Sequence, residues 1–326
     1  MLFVVGNSRS GTTMMSRVLA RHPDVRRLRE LHFFDRYWSP KRAGESLSER
    51  EARRIARELC ALDRGGSRDC AAEARRLVAD LDEDERTAIG VFRAFLLDRA
   101  AERGGSIPCE QTGRNVFYLS EILASFPGAR VIDMVRDPRD VLLSQKRKWR
   151  SSRARSRPIG VTLQEITNYH AVTMARLWAA AVRMGDRFED DPRVLVVRFE
   201  ELLTDPESVV RTIYSHCGLD YRPEALAVPN VGSSTAPRRP DVLGIDATRA
   251  GNWRRGGLND TEVWLCQRLA GREMRTHGYQ MADVRPDPIL LAYYLFSLPF
   301  KSGLALLNNA RGMASAGQAI ARRLSA

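Results

Sequence analysis

The most constraining feature of this sequence is the stretch VVGNSRSGTTMMSRVL at residues 4–19. An apolar run leads into Gly6, Gly11 follows five residues later, and Thr12 then opens a helical pattern. Backbone N–H groups gathered at such a turn, together with the helix dipole, bind an anion. A nucleotide triphosphatase has lysine after the second glycine, whereas this chain has Thr12 there and its cation earlier, at Arg9. The loop predicts a phosphate-bearing ligand that does not need that lysine.

Short apolar runs alternate with helical stretches along the chain. The runs are Leu2–Val5, Val131–Val135 and Val194–Phe199, and helical patterns cover 115–126 and 163–184. This alternation is typical of a parallel sheet covered by helices. The predicted fold class is therefore α/β: a P-loop-type parallel sheet flanked by helices, with helical insertions and a C-terminal helical tail. Ligands of such sheets bind where the strands end in loops.

One large domain with additions accounts for the 326 residues. We assign 1–285 to this domain, with charged amphipathic helices at 47–103 as an insertion or lid, and 286–326 as a helical tail. The tail opens with ILLAYYLFSLPF, which is too short to span a bilayer but suits either a membrane interface or a packed terminal helix. The basic stretch 145–158 is predicted to be a mobile loop, either solvated or attracting anions.

The chain is basic, because 52 Lys and Arg face 40 Asp and Glu, a net charge of +12. This excess indicates an anionic partner: nucleic acid, a phosphate-rich cofactor, an acidic glycan or a membrane surface. No helix-turn-helix, zinc or RNP pattern supports nucleic acid.

The cysteines are widely spaced and contain no CxxC pair, so they indicate neither a disulfide framework nor a zinc site. Together with an N-terminus unlike a secretory signal, this predicts a cytoplasmic protein. The tail leaves open a peripheral contact with the inner membrane face, the alternative being packing on its own domain or on a second subunit. The five cysteines are Cys60, Cys70, Cys109, Cys217 and Cys266.

A second anion-binding pattern occurs in ARVIDMVRDPRDVLLSQ, where Arg136 follows an apolar run and Ser144 lies eight residues further on. A guanidinium and a hydroxyl at a helix start suit a dianionic phosphate. The two segments resemble the 5′-phosphosulfate loop and the 3′-phosphate motif of sulfotransferases that use 3′-phosphoadenosine 5′-phosphosulfate (PAPS). The resemblance implies PAPS as cofactor, no metal, and a cofactor site formed by Arg9, Ser10, Gly11, Thr12, Thr13, Arg136 and Ser144.

The segment RELHFFDRYW places Glu30 shortly after the loop helix. It resembles the E-x-H-F-F-D segment of glycan 3-O-sulfotransferases, and the residues before it resemble tyrosylprotein sulfotransferases. The resemblance implies that Glu30 is the general base that takes the acceptor's proton, while Arg9 stabilises the departing PAP. His32 is the alternative base, or it orients Glu30 or packs nearby. The implied acceptor is a hydroxyl of a glycan, a glycolipid or a small molecule.

A late segment, DATRAGNWRRGG, resembles the part of these enzymes that folds over the adenine and the 3′ phosphate. It adds further predicted cofactor residues, and Lys148 adds charge near the 3′ phosphate. In CEQTGRNVFYL the family's Lys-x-Pro is absent, so either Gln111 or Arg114 takes the place of that lysine. The residues predicted from the late segment are Arg249, Trp253 and Arg254.

Two other functions remain open from the sequence alone. A P-loop small-molecule kinase would use Asp133, at the end of an apolar run, for Mg²⁺. A non-enzymatic nucleic-acid-binding protein would use the basic surface.

Overall fold

A five-stranded parallel sheet forms the centre of the molecule, which we describe from a computed structural model over residues 1–66, 70–148, 169–230 and 239–310. The strands are β1 Leu2–Gly6, β2 Val25–Arg27, β3 Ile107–Glu110, β4 Arg130–Val135 and β5 Val194–Arg198. Their order across the sheet is β2-β3-β1-β4-β5, so β1 lies between β3 and β4.

Helices connect and cover the strands. In chain order they are α1 Thr12–Leu19, α2 Phe33–Arg36, α3 Glu49–Arg64, α4 Ala71–Ala79, α5 Ala88–Glu102, α6 Leu119–Ser125, α7 Pro138–Lys146, α8 Ala171–Asp186, α9 Phe199–Thr204, α10 Pro206–His216, α11 Asp260–Thr276 and α12 Pro288–Ala310. A separate antiparallel pair consists of β6 Pro229–Asn230 and β7 Arg239–Leu243.

Alternate side chains of β1 enter two different hydrophobic clusters. Phe3 and Val5 pack in a cluster that includes residues of α3 and α5. Leu2 and Val4 pack in a second cluster with residues of α1 and α10. Both faces of the strand are therefore buried, which explains why its sequence is apolar without alternation. The parallel sheet with helices on both faces confirms the predicted fold class.

The three predicted strands are confirmed, whereas β2 and β3 were not predicted. Both are short, and β2 contains two arginines while β3 contains Pro108, so neither forms an apolar run. The helix predicted at 163–184 corresponds to α8, and residues 163–168 lie outside the described part. A 3₁₀ turn at Gly113–Tyr118 precedes α6 where one helix was predicted. The predicted loop at 145–158 is wrong at its start, because residues 145 and 146 belong to α7, and residues 149–158 lie outside the described part.

Helices α3 and α5, within the predicted insertion at 47–103, contribute to the same hydrophobic cluster as β1. The tail contains α12, and no helix in the described ranges is long and apolar enough to cross a bilayer. The domain limits at 285 and 286 stay a prediction.

The cysteines correct one prediction, because Cys60 and Cys70 form a disulfide with their Cα atoms 6.0 Å apart. Cys60 lies on α3 and Cys70 immediately precedes α4, and these two helices pack against each other. Their proximity thus comes from tertiary packing, which a spacing of ten residues does not reveal. Cys109, Cys217 and Cys266 are free thiols.

Asp133 is a buried carboxyl in the middle of β4. It lies against α8 at Gly185, where an added Cβ would come within 1.9 Å of its Oδ2. Burial, and then the nearby Asp186, raise the pKa of Asp133 to about 7, against a smaller lowering by His277. Between about pH 4 and pH 7, the Asp133 carboxyl therefore keeps its proton in the folded state, whereas the unfolded chain has released it.

We therefore expect the free energy of unfolding to fall as pH rises from 4 to 7, by at most about 1.4 kcal/mol per pH unit from this group. Asp133→Asn removes the titration and should flatten that part of the profile. Thermal unfolding of both proteins at several pH values measures the difference. Parallel profiles would show that Asp133 is ionised in the folded state.

Candidate active site

The two predicted anion-binding segments meet at one edge of the sheet because β1 and β4 are neighbours. Gly6, the last residue of β1, is in register with Met134 of β4, so the loops that follow both strands emerge side by side. A Cβ on Gly6 would come within 2.4 Å of the Met134 carbonyl oxygen, and its φ is +130°. Only glycine suits this position, since the turn passes directly over the neighbouring strand.

The loop after β1 has the backbone shape of an anion site. Arg9 and Gly11 have φ values of +74° and +99°, and the N–H groups of Met14 and Met15 donate to the Gly11 carbonyl. Residues in this left-handed region between right-handed ones turn successive N–H groups toward a common point. Gly11 also lies against the Phe199 ring, where a Cβ would come within 2.4 Å.

Arg9 and Arg136 connect the two segments directly. Arg9 Nε donates to Ser144 Oγ at 2.9 Å, across 135 residues of sequence. Arg136 NH1 donates to the Arg9 carbonyl at 3.3 Å, and its guanidinium lies 4.5 Å from the centre of the Phe199 ring. The structure thus brings together the cation of the first motif with the cation and the hydroxyl of the second.

These groups surround a cavity of about 350 Å³. Among the residues that the structure describes, five guanidinium or ammonium groups face it, against a single carboxylate, that of Glu30. Such an excess of positive charge suits a ligand with several negative charges. The lining residues are Ser8, Arg9, Gly11, Thr12, Thr13, Met14, Glu30, His32, Gly113, Arg114, Arg136, Ser144, Lys148, Phe199 and Arg249. Of the predicted site residues, Ser10, Trp253 and Arg254 are absent from this lining.

Glu30 and His32 stand together at the cavity wall. The Glu30 side chain is 48% exposed, and its Oε2 lies 3.6 Å from His32 Nε2. Burial lowers the pKa of His32, although the nearby Glu30 carboxylate opposes this shift. His32 is thus largely neutral at pH 7. Glu30 faces the cavity with about half of its side chain exposed. His32 also has a φ of +51°, which turns the chain sharply into α2.

Thr112 and Glu110 hold the Glu30–His32 segment in place. The Thr112 hydroxyl accepts from the N–H groups of Leu31 at 3.0 Å and His32 at 3.1 Å, and donates to Glu110. Glu110 also accepts from Thr112 N at 3.0 Å and Asn115 Nδ2 at 2.8 Å, and burial raises its pKa to about 7. Sequence reasoning missed both residues. Their only signal was an acidic side chain within the CEQT segment.

Asp140 performs a similar task for the late segment. Its carboxylate accepts from the N–H groups of Gly251 at 2.8 Å and Trp253 at 2.9 Å, and lies 3.7 Å from Arg136. Arg136 NH2 donates to the carbonyl of Arg249 at 2.9 Å, and Arg249 lines the cavity. The late segment is thereby held beside the 3′-phosphate motif.

Trp253 is buried and stacks on the guanidinium of Arg139 at 4.0 Å and of Arg254 at 4.7 Å. Binding of adenine by Trp253 and Arg254 stays a prediction.

The two candidates for the missing lysine have different surroundings. Gln111 is buried and its Oε1 accepts from Ser16 Oγ at 2.6 Å, away from the cavity. Arg114 lines the cavity, and its NH1 lies 3.9 Å from Asp35. Of the two, Arg114 is the one that lines the cavity, and its role in place of the family lysine stays a prediction.

Asp133 does not line the cavity, since it lies against α8 as described above. The carboxylate that a kinase would use for Mg²⁺ is thus not directed to the loop after β1.

Comparison with known proteins agrees with the geometry. Carbohydrate sulfotransferase 5 of Mus musculus is 27% identical over 168 residues, which are 46% of this chain and 42% of that protein. Protein-tyrosine sulfotransferase 1 of Danio rerio is 24% identical over 228 residues, or 69% of this chain and 55% of that protein. The chain spans about half the length of these relatives.

Two solved structures share the fold. They are the sulfotransferase domain from the curacin biosynthetic pathway (TM-score 0.52, 17% identity, 86% of this chain and 98% of that one) and that of the Synechococcus PCC 7002 olefin synthase (TM-score 0.52, 22% identity, 86% and 95%). A family model described as the sulfotransferase family matches residues 2–223, about two thirds of the sequence. Because this match includes both phosphate motifs and Glu30, the predicted family is confirmed, and the chain belongs to the sulfotransferase family.

Proposed function

We propose that this protein transfers a sulfuryl group from PAPS to an acceptor hydroxyl, with Glu30 as general base. The observation that carries the proposal is the contact between the two phosphate motifs, in which Arg9 Nε donates to Ser144 Oγ at 2.9 Å beside a strongly cationic cavity. A nucleotide with phosphates at both its 5′ and 3′ positions suits two adjoining anion sites, whereas a nucleotide with a single phosphate chain would use one of them.

Buried polar atoms near the cavity fit this ligand. Ser10 Oγ, Arg136 Nε and Arg249 NH2 have no hydrogen-bond partner within the described ranges, and Arg249 Nε has only a long contact of 3.5 Å with Asp246 Oδ2. Buried donors of this kind are rarely left unsatisfied, and phosphate oxygens are suitable acceptors for all of them. Burial is the largest cause of a lowered pKa at Arg249, and the neighbouring Arg136 adds to it. An anion between these two residues would relieve that repulsion.

Different residues then have different roles in the proposed reaction. PAPS supplies the activated sulfuryl group when bound. Arg9 and the N–H groups of the loop hold the 5′ side, while Arg136 and Ser144 hold the 3′ phosphate. The Glu30 carboxylate accepts the proton of the acceptor hydroxyl, which is a poor nucleophile until that proton leaves. Arg114 offers a cation at the position of the family lysine, where charge develops on the transferred group.

The acceptor enters, in this proposal, through a second cavity of about 180 Å³ that shares Ser8, Arg114 and Lys148 with the first. Its other walls include the apolar side chains of Phe117 and Leu177. Two of the matched relatives are carbohydrate sulfotransferases, which supports a glycan hydroxyl, and the apolar walls favour a glycan attached to a hydrophobic group, as in a glycolipid. The cytoplasmic location stays a prediction.

Glu30→Gln should leave PAP binding intact and lower kcat about a hundred- to ten-thousandfold, because the amide cannot accept the proton. Turnover of labelled PAPS, with PAP affinity measured by calorimetry, tests this. Glu207→Gln is a matched control, since that side chain is 57% exposed and pairs with Arg211 away from the cavity. Normal turnover by the Glu30→Gln variant would exclude Glu30 as the base and leave His32 as the candidate.

Ser144→Ala should weaken PAP binding about tenfold to hundredfold, the range expected for loss of a hydrogen bond to a charged group. Adenosine 5′-phosphate lacks the 3′ phosphate, so its affinity should fall much less, only through the lost contact of Ser144 with Arg9. Ser120→Ala, at an exposed serine of α6, is the control. An equal loss for both nucleotides would contradict the assignment of Ser144. Stabilisation by ATP with Mg²⁺, but not by metal-free PAP, would favour the kinase instead.

Thr112→Val should lower kcat about tenfold or more while PAP affinity stays unchanged, because a small displacement of the base misaligns the reaction. The valine removes the hydroxyl that accepts from the Leu31 and His32 N–H groups but keeps the volume of the side chain. Thr112→Ser retains the hydroxyl and should restore most of kcat. Equal kcat values for the two variants would show that Thr112 has only a packing role.

A further inference from the structure

The last helix of the described chain, α12, has two faces of different kinds. On one face Tyr294 is buried in a cluster with residues of α8 and α11, and Leu291 and Leu298 pack against the same cluster. Tyr294 Oη also donates to Glu262 of α11 at 3.0 Å, and Ser297 Oγ lies 3.3 Å from His170 Nε2. This face holds the helix firmly on the domain.

The start of the helix is fixed as well. Asp287 N donates to Thr261 Oγ1 at 2.9 Å, and the Asp287 carboxylate accepts from the N–H groups of Ile289 at 2.9 Å and Leu290 at 3.0 Å. This is an N-cap that is tied to α11, so the direction of α12 relative to the domain is set at its first turn.

The opposite face is apolar and exposed. Ile289, Phe296 and Phe300 are 81%, 84% and 77% exposed, and Tyr293 and Leu295 are more than half exposed. Positions 289, 293, 296 and 300 repeat at three- and four-residue intervals and so share one side of the helix. Six of the ten exposed large apolar side chains within the described ranges belong to α12. Exposed apolar side chains that cluster on one face of a helix indicate a contact site, whereas single ones scattered over a surface do not.

The charge of the surrounding sequence indicates what this face contacts. After Asp287 the chain contains four Lys or Arg residues and no Asp or Glu. Lys301, which is on α12 itself, lies 5.8 Å from the Tyr293 ring at the edge of the apolar face. An apolar helix face bordered by positive charge is the pattern of helices that lie in the interface of an anionic bilayer. A symmetric dimer through this face would place the Lys301 ammonium of each copy at the edge of the contact, and a second copy of the same face offers no acid to neutralise it.

We propose that the exposed face of α12, formed by Ile289, Tyr293, Leu295, Phe296 and Phe300, docks on an anionic lipid surface. The helix lies on that surface and does not cross it. The docked helix is close to the second cavity, because Glu262 accepts from both Tyr294 of α12 and Tyr169 of the cavity wall, the latter at 2.8 Å. Docking therefore holds the acceptor side of the protein near the membrane, although the docking itself does not depend on the proposed activity.

Co-sedimentation of the full chain with phosphatidylglycerol-containing vesicles, and with pure phosphatidylcholine vesicles, tests the proposal. The wild type should bind the anionic vesicles preferentially and should release at high salt. Phe296→Ser with Phe300→Ser should weaken binding about tenfold or more, since two aromatic side chains no longer enter the interface. Ile289→Ser with Phe296→Ser is a second pair. Leu97→Ser with Leu243→Ser, at exposed leucines elsewhere, is the control and should bind as the wild type does.

Thermal unfolding and PAP affinity should be the same in all variants, so failure of the proposed activity and failure of docking give different results. Unchanged vesicle binding by both α12 pairs would overturn the proposal. So would absence of wild-type binding to either vesicle. A wild-type dimer that the α12 substitutions convert to a monomer, without vesicle binding, would instead identify this face as an interface between two copies of the chain.

Discussion

The parallel pairing of β1 with β4 is the interaction on which the site depends. Because Gly6 is in register with Met134, the loop after β1 and the first turn of α7 emerge at the same height on the same edge of the sheet. This register lets a side chain from residue 9 reach residue 144. A shift of one residue would turn every β1 side chain to the opposite face and exchange its two buried clusters. Hydrophobic burial on both faces of the sheet thus fixes the geometry of a polar site at its edge.

The sequence predicts well those features that depend on neighbouring residues. The central strands form apolar runs because both faces of the sheet are covered, and the first loop is recognisable by Gly6 and Gly11, whose positive φ values and close neighbours favour glycine. The contributions of β2 and β3 depend on tertiary contacts. β3 in particular contains Glu110, a buried acid that becomes acceptable only because the Leu31, Thr112 and Asn115 donors converge on it. No local pattern of residues describes that convergence.

Within the site, too, residues recognisable from their own segment differ from residues whose role depends on tertiary contacts. Arg9, Arg136 and Ser144 could be proposed from their own segments, whereas Asp140 acts through residues more than 110 positions away and was not recognised. Gln111 and Arg114 show the limit most clearly. Both lie in one turn of chain, yet the Gln111 amide oxygen accepts from the Ser16 hydroxyl of α1, whereas Arg114 lines the cavity. The spacing of residues in the sequence does not reveal such a hydrogen bond between distant segments.

The positive charge around the cavity destabilises the folded protein, and acids of the chain offset it only in part: Asp246 lies 3.5 Å from Arg249 and opposes the lowering of its pKa without cancelling it. Arg249 shows this effect in its lowered pKa, for which burial is the main cause and Arg136 a smaller one. Asp140 lies within 3.7 Å of Arg136, but its carboxylate is already engaged by two backbone N–H groups of the late segment. The acid nearest to Arg136 therefore serves mainly to position the late segment and neutralises this guanidinium only in part. A cavity built in this way retains its affinity for a polyanion, and its cations are in place before the ligand arrives.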